Sequence, residues 1–213
     1  MPLISQWDKQ GNLIQTINIA ATNGAPCGLT TDRKYLWVMD VINGEAEQYD
    51  KQGNLIQSWA PVVNPGMVSD LTTDRKYLWI TDHTNSTVNQ YDKQGNLIQS
   101  WATTNNPMGI TTDRKYLWLV ESDMDAISWL RQYTKTGVLI SSVDITAIIN
   151  THLPLGLTTD RKYLWMVDLI NGSVHQVDKQ GNLIQSWGCL ASGEGPWGIT
   201  TDRKYLWISS QAT

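Results

Sequence analysis

Four acidic side chains recur at one position of a repeated sequence, three residues after the Trp of a Leu-Trp pair. They are Asp40, Asp82, Glu121 and Asp168, and Ser210 takes the same position in the fifth copy. Carboxylate oxygens gathered in this way are typical ligands of a hard cation such as Ca²⁺. In the alternative interpretation, each carboxylate accepts backbone hydrogen bonds from the loop that follows it, as in an Asx-type turn. The spacing is compatible with both.

Asp70 interrupts a second repeated position, four residues before the Asp of each Thr-Thr-Asp sequence. The other copies carry glycine there, at Gly28, Gly109, Gly156 and Gly198. Glycine is favoured where backbones crowd together or where φ is positive. The carboxylate of Asp70 either bonds to nearby backbone N–H groups or marks a site for a cation or an amine. Under the second interpretation, Asp70→Gly is expected to weaken ligand binding and to leave the stability equal or higher.

Two of the eleven tryptophans, Trp129 and Trp197, do not belong to the repeated positions. The other nine are expected to pack between units, whereas these two either cover a loop or stack, when exposed, on a sugar or a base. No catalytic set accompanies them. The sequence contains no zinc-ligand spacing, no Ser-His-Asp pattern and no glycine-rich phosphate loop. Its three histidines are isolated from one another: His83, His152 and His175.

The elements that must position these residues come from two repeated strings. TTDRKYLW occurs five times, starting at Thr30, Thr72, Thr111, Thr158 and Thr200. DKQGNLIQ occurs four times, and TKTGVLIS at residues 134–141 is a diverged fifth copy. The resulting units are about 42 residues long. A period of about 40–45 residues with several strands in each unit is the signature of a β-propeller.

Each unit contains four short apolar runs, which their content of Ile, Leu, Val, Thr, Tyr and Trp predicts to be strands. In the first complete unit they are residues 28–31, 35–40, 45–49 and 54–59. The intervening Asp-Arg-Lys and Asp-Lys-Gln-Gly sequences are typical of tight hairpin turns. No segment sustains the apolar spacing of an amphipathic helix.

The two ends of the chain supply the two halves of one unit. The last unit has only its first two strands, residues 197–201 and 205–209, and the chain begins with the missing two, residues 3–7 and 12–17. The sequence therefore predicts an all-β fold in a single domain over residues 1–213. That fold is a five-bladed β-propeller of four-stranded antiparallel blades, closed by N-terminal strands that complete the last blade.

Composition adds expectations about the state of the protein. The sequence shows no apolar run long enough to span a membrane and no signal peptide, so we expect a cytoplasmic, monomeric protein. The single pair of cysteines, Cys27 and Cys189, is expected to remain reduced, because one pair without a secretory signal more often means two thiols than a disulfide.

Charge separates between the two faces of the expected propeller. We call the face that holds the first–second and third–fourth turns of each blade the lower face, and the opposite one the upper face. The lower face receives 15 of the 16 basic residues and nine acids, and the upper face receives eleven acids and Arg131. The basic turns are either ordinary solvated turns or a cationic ring that meets phosphates. Because no aromatic residues interleave them, nucleic acid is not an expected partner.

Three parts of the repeat resemble a known family. The pattern Pro-x-Gly-Ile-Thr-Thr-Asp, the strand YLWVxD and the string QYDKQGNLI resemble the repeats of NHL propellers. They are also similar to the blades of streptogramin lyases and glutaminyl cyclotransferases. The resemblance covers the whole chain and implies the propeller fold, while the families it reaches include enzymes, RNA binders and protein-binding scaffolds. No catalytic motif of these families is found here, and the five units differ from the seven blades of the lyases.

We therefore expect a non-enzymatic binding module or interaction scaffold that uses the acidic upper face for a protein, peptide or glycan. No cofactor is expected, apart from a hard cation such as Ca²⁺ near the channel mouth. A lectin-like propeller is one alternative and requires exposed tryptophans. A lyase or cyclotransferase is the other, and requires a deep upper pocket with an acid or His of shifted pKa. The candidate ligand-binding residues are Asp70, Trp129, Trp197, Asp40, Asp82, Glu121 and Asp168.

Overall fold

The computed structural model describes residues 2–19, 26–61, 70–123, 127–149, 154–189 and 195–211. Within these residues the chain forms twenty β-strands in five four-stranded antiparallel sheets, which are the blades of a ring. The all-β, five-bladed propeller predicted from the repeats is confirmed. No helix in the described part of the chain is long and apolar enough to cross a membrane.

The blades follow the sequence units closely. The chain begins with β1 (Pro2–Trp7) and β2 (Leu13–Asn18). Blade 1 consists of β3 (Pro26–Thr31), β4 (Leu36–Asp40), β5 (Glu45–Tyr49) and β6 (Leu55–Trp59). Blade 2 consists of β7 (Leu71–Thr73), β8 (Leu78–Asp82), β9 (Thr87–Tyr91) and β10 (Leu97–Ala102). Blade 3 consists of β11 (Asn106–Thr112), β12 (Leu117–Ser122), β13 (Ser128–Tyr133) and β14 (Leu139–Asp144).

Blade 4 consists of β15 (Pro154–Thr159), β16 (Leu164–Asp168), β17 (Ser173–Val177) and β18 (Leu183–Gly188). Blade 5 joins both ends of the chain, in the order β19 (Pro196–Thr201), β20 (Leu206–Gln211), β1 and β2. The β1–β20 pairing runs antiparallel from Pro2 opposite Gln211 to Trp7 opposite Leu206. The N-terminal strands therefore complete the last blade, as predicted, and cover an edge that would otherwise be open.

The core lies between neighbouring blades, because each sheet is covered on both faces. The second strand of every blade is buried, and Trp37, Trp79 and Trp165 are fully enclosed. The tryptophans that end several fourth strands cover the next blade. A Cβ atom on Gly95, whose φ is 89°, would lie 2.7 Å from the ring of Trp59, so the turn needs glycine for both reasons. The expected blade-to-blade packing of the repeated tryptophans is confirmed.

Candidate functional site

Three of the four repeated upper-face acids are bonded to the loops that follow them. Asp40 Oδ1 accepts hydrogen bonds from the backbone N–H groups of Ile42 and Asn43 at 2.9 and 3.1 Å, and Oδ2 accepts one from the Asn43 side chain at 2.9 Å. Asp82 and Asp168 bond to their own loops in the same manner. All three carboxylates are buried. This bonding is that of Asx-type turns, and a ligand-binding role for the three stays a prediction.

Glu121, the fourth repeated acid, forms a buried network inside blade 3. Its Oε2 accepts hydrogen bonds from Arg131 and from the backbone N–H of Asn105, and its Oε1 accepts one from the Tyr133 hydroxyl at 2.6 Å. Burial and the bond to Glu121 raise the pKa of Tyr133. The Arg131 guanidinium also lies 4.7 Å from the ring centroid of Trp129. One face of that partly buried tryptophan is thus covered from within the protein.

The carboxylates on the upper face do not converge in the described residues. No group of three or more His, Cys, Asp or Glu side chains there is placed to hold a metal ion. A Ca²⁺ ion near the channel mouth stays a prediction. Asp125, Glu194 and His152, which the sequence also places on this face, lie outside the described residues. Cys27 and Cys189 are both buried and form no disulfide in the described residues.

Asp70 lies on the propeller axis, where its carboxylate joins the inner strands of four blades. Oδ1 accepts the N–H of Leu71 at 2.9 Å, and Oδ2 accepts the N–H groups of Ile110 at 2.9 Å and Leu157 at 3.2 Å. The N–H of Leu29 in blade 1 is a further donor. Burial raises the pKa of the Asp70 carboxyl well above its usual value, and the four backbone donors act against that rise. The carboxylate is therefore enclosed and fully bonded.

The glycines at the equivalent positions show why the axis tolerates one carboxylate there. A Cβ atom on Gly109 would lie 2.8 Å from the Leu155 carbonyl oxygen, and one on Gly198 would lie 2.5 Å from the Cys27 carbonyl oxygen. The inner strands of blades 3 to 5 and blade 1 therefore approach too closely for a side chain. In blade 2 the equivalent residue, Asp70, directly precedes β7, and its side chain is fully accommodated and buried there. This geometry reverses the expected effect of Asp70→Gly on stability.

Glu47 is an ionisable group of this face that the sequence counts among the upper-face acids but does not single out as a candidate site residue. Its carboxylate is 1% exposed and accepts a 2.6 Å hydrogen bond from the Tyr49 hydroxyl. The pKa of Glu47 is raised to about 7: burial is the largest cause, the hydrogen bond from Tyr49 acts against it, and the charges of Asp40 and Glu45 add to the rise. A sequence signal did exist, because this third-strand position differs in all five blades: Ser5, Glu47, Asn89, Arg131 and His175.

Five apolar side chains lie on the upper face of three consecutive blades, 4, 5 and 1. We call them the apolar patch: Val41, Ile42, Leu169, Ile170 and Trp197. Ile42 and Ile170 are 63% and 61% exposed at the tips of their loops. Val41 packs against the buried cluster between blades 1 and 2, Leu169 packs against the one between blades 4 and 5, and Trp197 packs against both clusters. Solvent-exposed apolar groups gathered in this way mark interaction sites more often than scattered ones do.

Inter-blade ion pairs form a ring on the lower face. The Lys of each third–fourth turn reaches the Asp of the Asp-Arg-Lys turn in the preceding blade. The Nζ–Oδ2 distances are 2.5–2.7 Å for Lys9–Asp160, Lys93–Asp32, Lys135–Asp74 and Lys179–Asp113, and 3.8 Å for Lys51–Asp202. Each of these ammonium groups also lies 4.9–5.9 Å from a Trp ring centroid. We call this set the ion-pair ring.

The arginines of the same turns adopt a conformation that favours glycine. In blade 1, the Asp32 N–H donates to the Tyr35 carbonyl at 3.3 Å, which closes a two-residue turn around Arg33 and Lys34. The φ of Arg33 is 83°. Positive φ at the first central residue alone is the pattern of a type II′ turn, where Gly is preferred. A non-glycine residue there costs about 1–3 kcal/mol. The equivalent arginines have φ of 83–86°: Arg75, Arg114, Arg161 and Arg203.

The five blades form a β-propeller whose axis is closed off by the tightly packed inner strands. No protein-family model matches the sequence, and no curated protein matches it. The structure is similar to catalytically inactive virginiamycin B lyase from Staphylococcus aureus with quinupristin. That likeness has a TM-score of 0.57 and 15% identity over 99% of this chain and 74% of the lyase chain.

Two further solved structures are similar. Myxococcus xanthus glutaminyl cyclase has a TM-score of 0.68 and 11% identity over 96% of this chain and 93% of its own. A chain of the nidogen/laminin complex has a TM-score of 0.62 and 16% identity over 98% of this chain and 85% of its own. At such low identity these likenesses establish the β-propeller fold alone. They include two enzymes and one protein-complex component, so the fold is compatible with either class of function.

Proposed function

We propose that the protein is a non-enzymatic binding module whose upper face takes a peptide or protein segment with apolar and basic side chains. The apolar patch is the observation that carries this proposal. It comprises two strongly exposed isoleucines, on the Ile-Asn-Gly loops of blades 1 and 4, and Trp197 of the intervening blade 5, whereas blades 2 and 3 lack this loop sequence. Of the eleven acids that the sequence places on this face, Glu45 and Asp123 are partly exposed and Asp144 is exposed, and the single basic residue of the face, Arg131, is buried and bonded to Glu121. Basic side chains beside apolar ones complement that surface.

The lectin and enzyme alternatives gain less support from the same residues. Arg131 covers one face of Trp129, which leaves less aromatic surface for a sugar. Glu47 has the shifted pKa that an enzyme site would need, but its side chain is 1% exposed between strands. We also infer that the repeat is NHL-like, because the Pro-x-Gly strand starts and the Asp-x-x-Gly turns follow that pattern.

Selection of phage-displayed peptides against the protein tests the proposal. We expect the enriched peptides to combine basic and apolar residues, and to lose about tenfold or more in affinity for Ile42→Asp and Ile170→Asp. Ile56→Asp and Ile98→Asp are matched controls, since these side chains are 50% and 52% exposed on outer strands. No enrichment, or equal losses in patch and control variants, would contradict the proposal. Enrichment on a glycan array instead would favour the lectin alternative.

A further inference from the structure

The lower mouth of the propeller axis holds a small cationic depression. Its volume is about 100 Å³, and it is lined by the Thr, Asp and Arg residues of all five Asp-Arg-Lys turns. We call its five arginines the arginine ring: Arg33, Arg75, Arg114, Arg161 and Arg203. All five are exposed. The depression lies opposite the apolar patch and is independent of it.

The carboxylates of these turns are already engaged, so they do not neutralise the arginines. Asp32 Oδ1 accepts the backbone N–H groups of Lys34 and Tyr35 at 3.2 and 3.0 Å, and Oδ2 accepts the Lys93 ammonium at 2.6 Å. The other four aspartates have equivalent backbone bonds and lysine partners in the ion-pair ring. None of the ring arginines forms an ion pair with a carboxylate in the described residues.

The arginines are also held at a conformational and electrostatic cost. Each occupies a positive-φ position where glycine would be unstrained. Their like charges repel one another: the pKa of Arg114 is lowered, first by the charge of Arg161 and then by burial and by further members of the ring. Strain of this kind persists where the surrounding structure enforces it, and it clusters at binding sites. A bound anion would offset the repulsion.

We propose that the arginine ring binds a compact polyvalent oxyanion of the phosphate class on the propeller axis. Guanidinium groups bond phosphate oxygens in pairs, and five of them around one depression can contact several oxygens of one group. The depression is small and open to solvent, which suits a compact anion bound at the mouth of the axis. The anion is either free or the phosphate end of a larger molecule that extends into solvent.

Calorimetric titration with inorganic pyrophosphate at ~150 mM salt tests the site, where weak surface attraction is screened. We expect saturable binding of one anion by the native protein. The variant with all five ring arginines replaced by Gly should lose binding while melting at an equal or higher temperature without anion, because the turns lose strain. If that variant does not fold, single Arg114→Gly and Arg203→Gly should each weaken binding by about tenfold.

The matched control replaces the neighbouring lysines, Lys34, Lys76, Lys115, Lys162 and Lys204, with Gln. It removes the same charge from the same turns and should keep the affinity within about threefold. No binding by the native protein, or an equal loss in the lysine control, would overturn the proposal. A parallel titration with a nucleoside triphosphate separates the two sources of phosphate. Equal affinity indicates a free anion, and a higher affinity indicates an attached group.

Discussion

Replacement of Asp70 should destabilise the propeller more than a surface substitution would. The carboxylate accepts backbone N–H groups from Leu71, Ile110, Leu157 and Leu29, one from each of four blades. In Asp70→Gly, a water molecule that enters the vacated space can accept hydrogen bonds from two of these N–H groups. The other two N–H groups then remain buried without a partner. Each such donor costs about 1–3 kcal/mol, so we expect the free energy of unfolding to fall by about 4 kcal/mol.

Equilibrium denaturation in urea measures this loss, and thermal melting gives a second readout. For a chain of this length, a loss of about 4 kcal/mol corresponds to a melting temperature lower by about 8–16 °C. Formate carries the carboxylate that Asp70→Gly removes, and its binding to the folded state alone should restore part of the stability. Acetate, with an additional methyl group, is a size control.

Asp82→Asn is the matched control, because Asp82 is equally buried and bonds to its own loop through Asn85. An asparagine at position 82 can still accept the backbone hydrogen bond of this loop, so the free energy of unfolding is expected to fall by less than about 1 kcal/mol. In Asp70→Asn the new amide N–H groups face backbone donors, so that variant should lose several times more. If Asp70→Gly retained the native stability to within about 1 kcal/mol, the carboxylate would not be holding the axis together.

Three further predictions follow from other parts of the ring. Deletion of residues 1–17 removes β1 and most of β2, so the edge of β20 is exposed and we expect aggregation or unfolding; a monomer by gel filtration with an unchanged melting temperature would refute closure. The folded state favours protonated Glu47, whose pKa of about 7 exceeds the usual 4.5, so its contribution to stability is lost as pH rises through 7. Relative to Glu47→Gln, the native protein should therefore lose about 1–3 kcal/mol between pH 5 and 8 in urea titrations, and parallel profiles would contradict this. Lys93→Gln, which breaks a 2.6 Å ion pair, should cost about 1 kcal/mol, and Lys51→Gln, with its 3.8 Å pair, less than half of that; equal melting temperatures for the two would show that distance does not matter here.

The candidate site could be predicted only in part. The sequence places Asp40, Asp82 and Asp168 at strand ends. The Asx-turn interpretation describes their hydrogen bonds correctly, because an Asx turn involves only neighbouring residues of the chain. Glu121 has the same position in the repeat but bonds differently, because Arg131, two residues along β13 from its cross-strand partner Trp129, pairs with its carboxylate. Glu47 was counted among the upper-face acids but was not a candidate, since a single acid in a strand carries no pattern, although its position has a different residue in each of the five blades.

The sequence by itself determined the blade count, the strand positions, the tight turns and the closure of blade 5. Each of these rests on short-range chemistry that is copied with the repeat, such as a turn residue or an apolar strand. The tertiary structure decided what meets across the ring. Asp70 takes donors 40 and 87 residues away, and the apolar patch joins residues from three blades. These contacts depend on how closely five near-identical blades approach one axis, and inter-blade distance is not encoded in the sequence of any single unit.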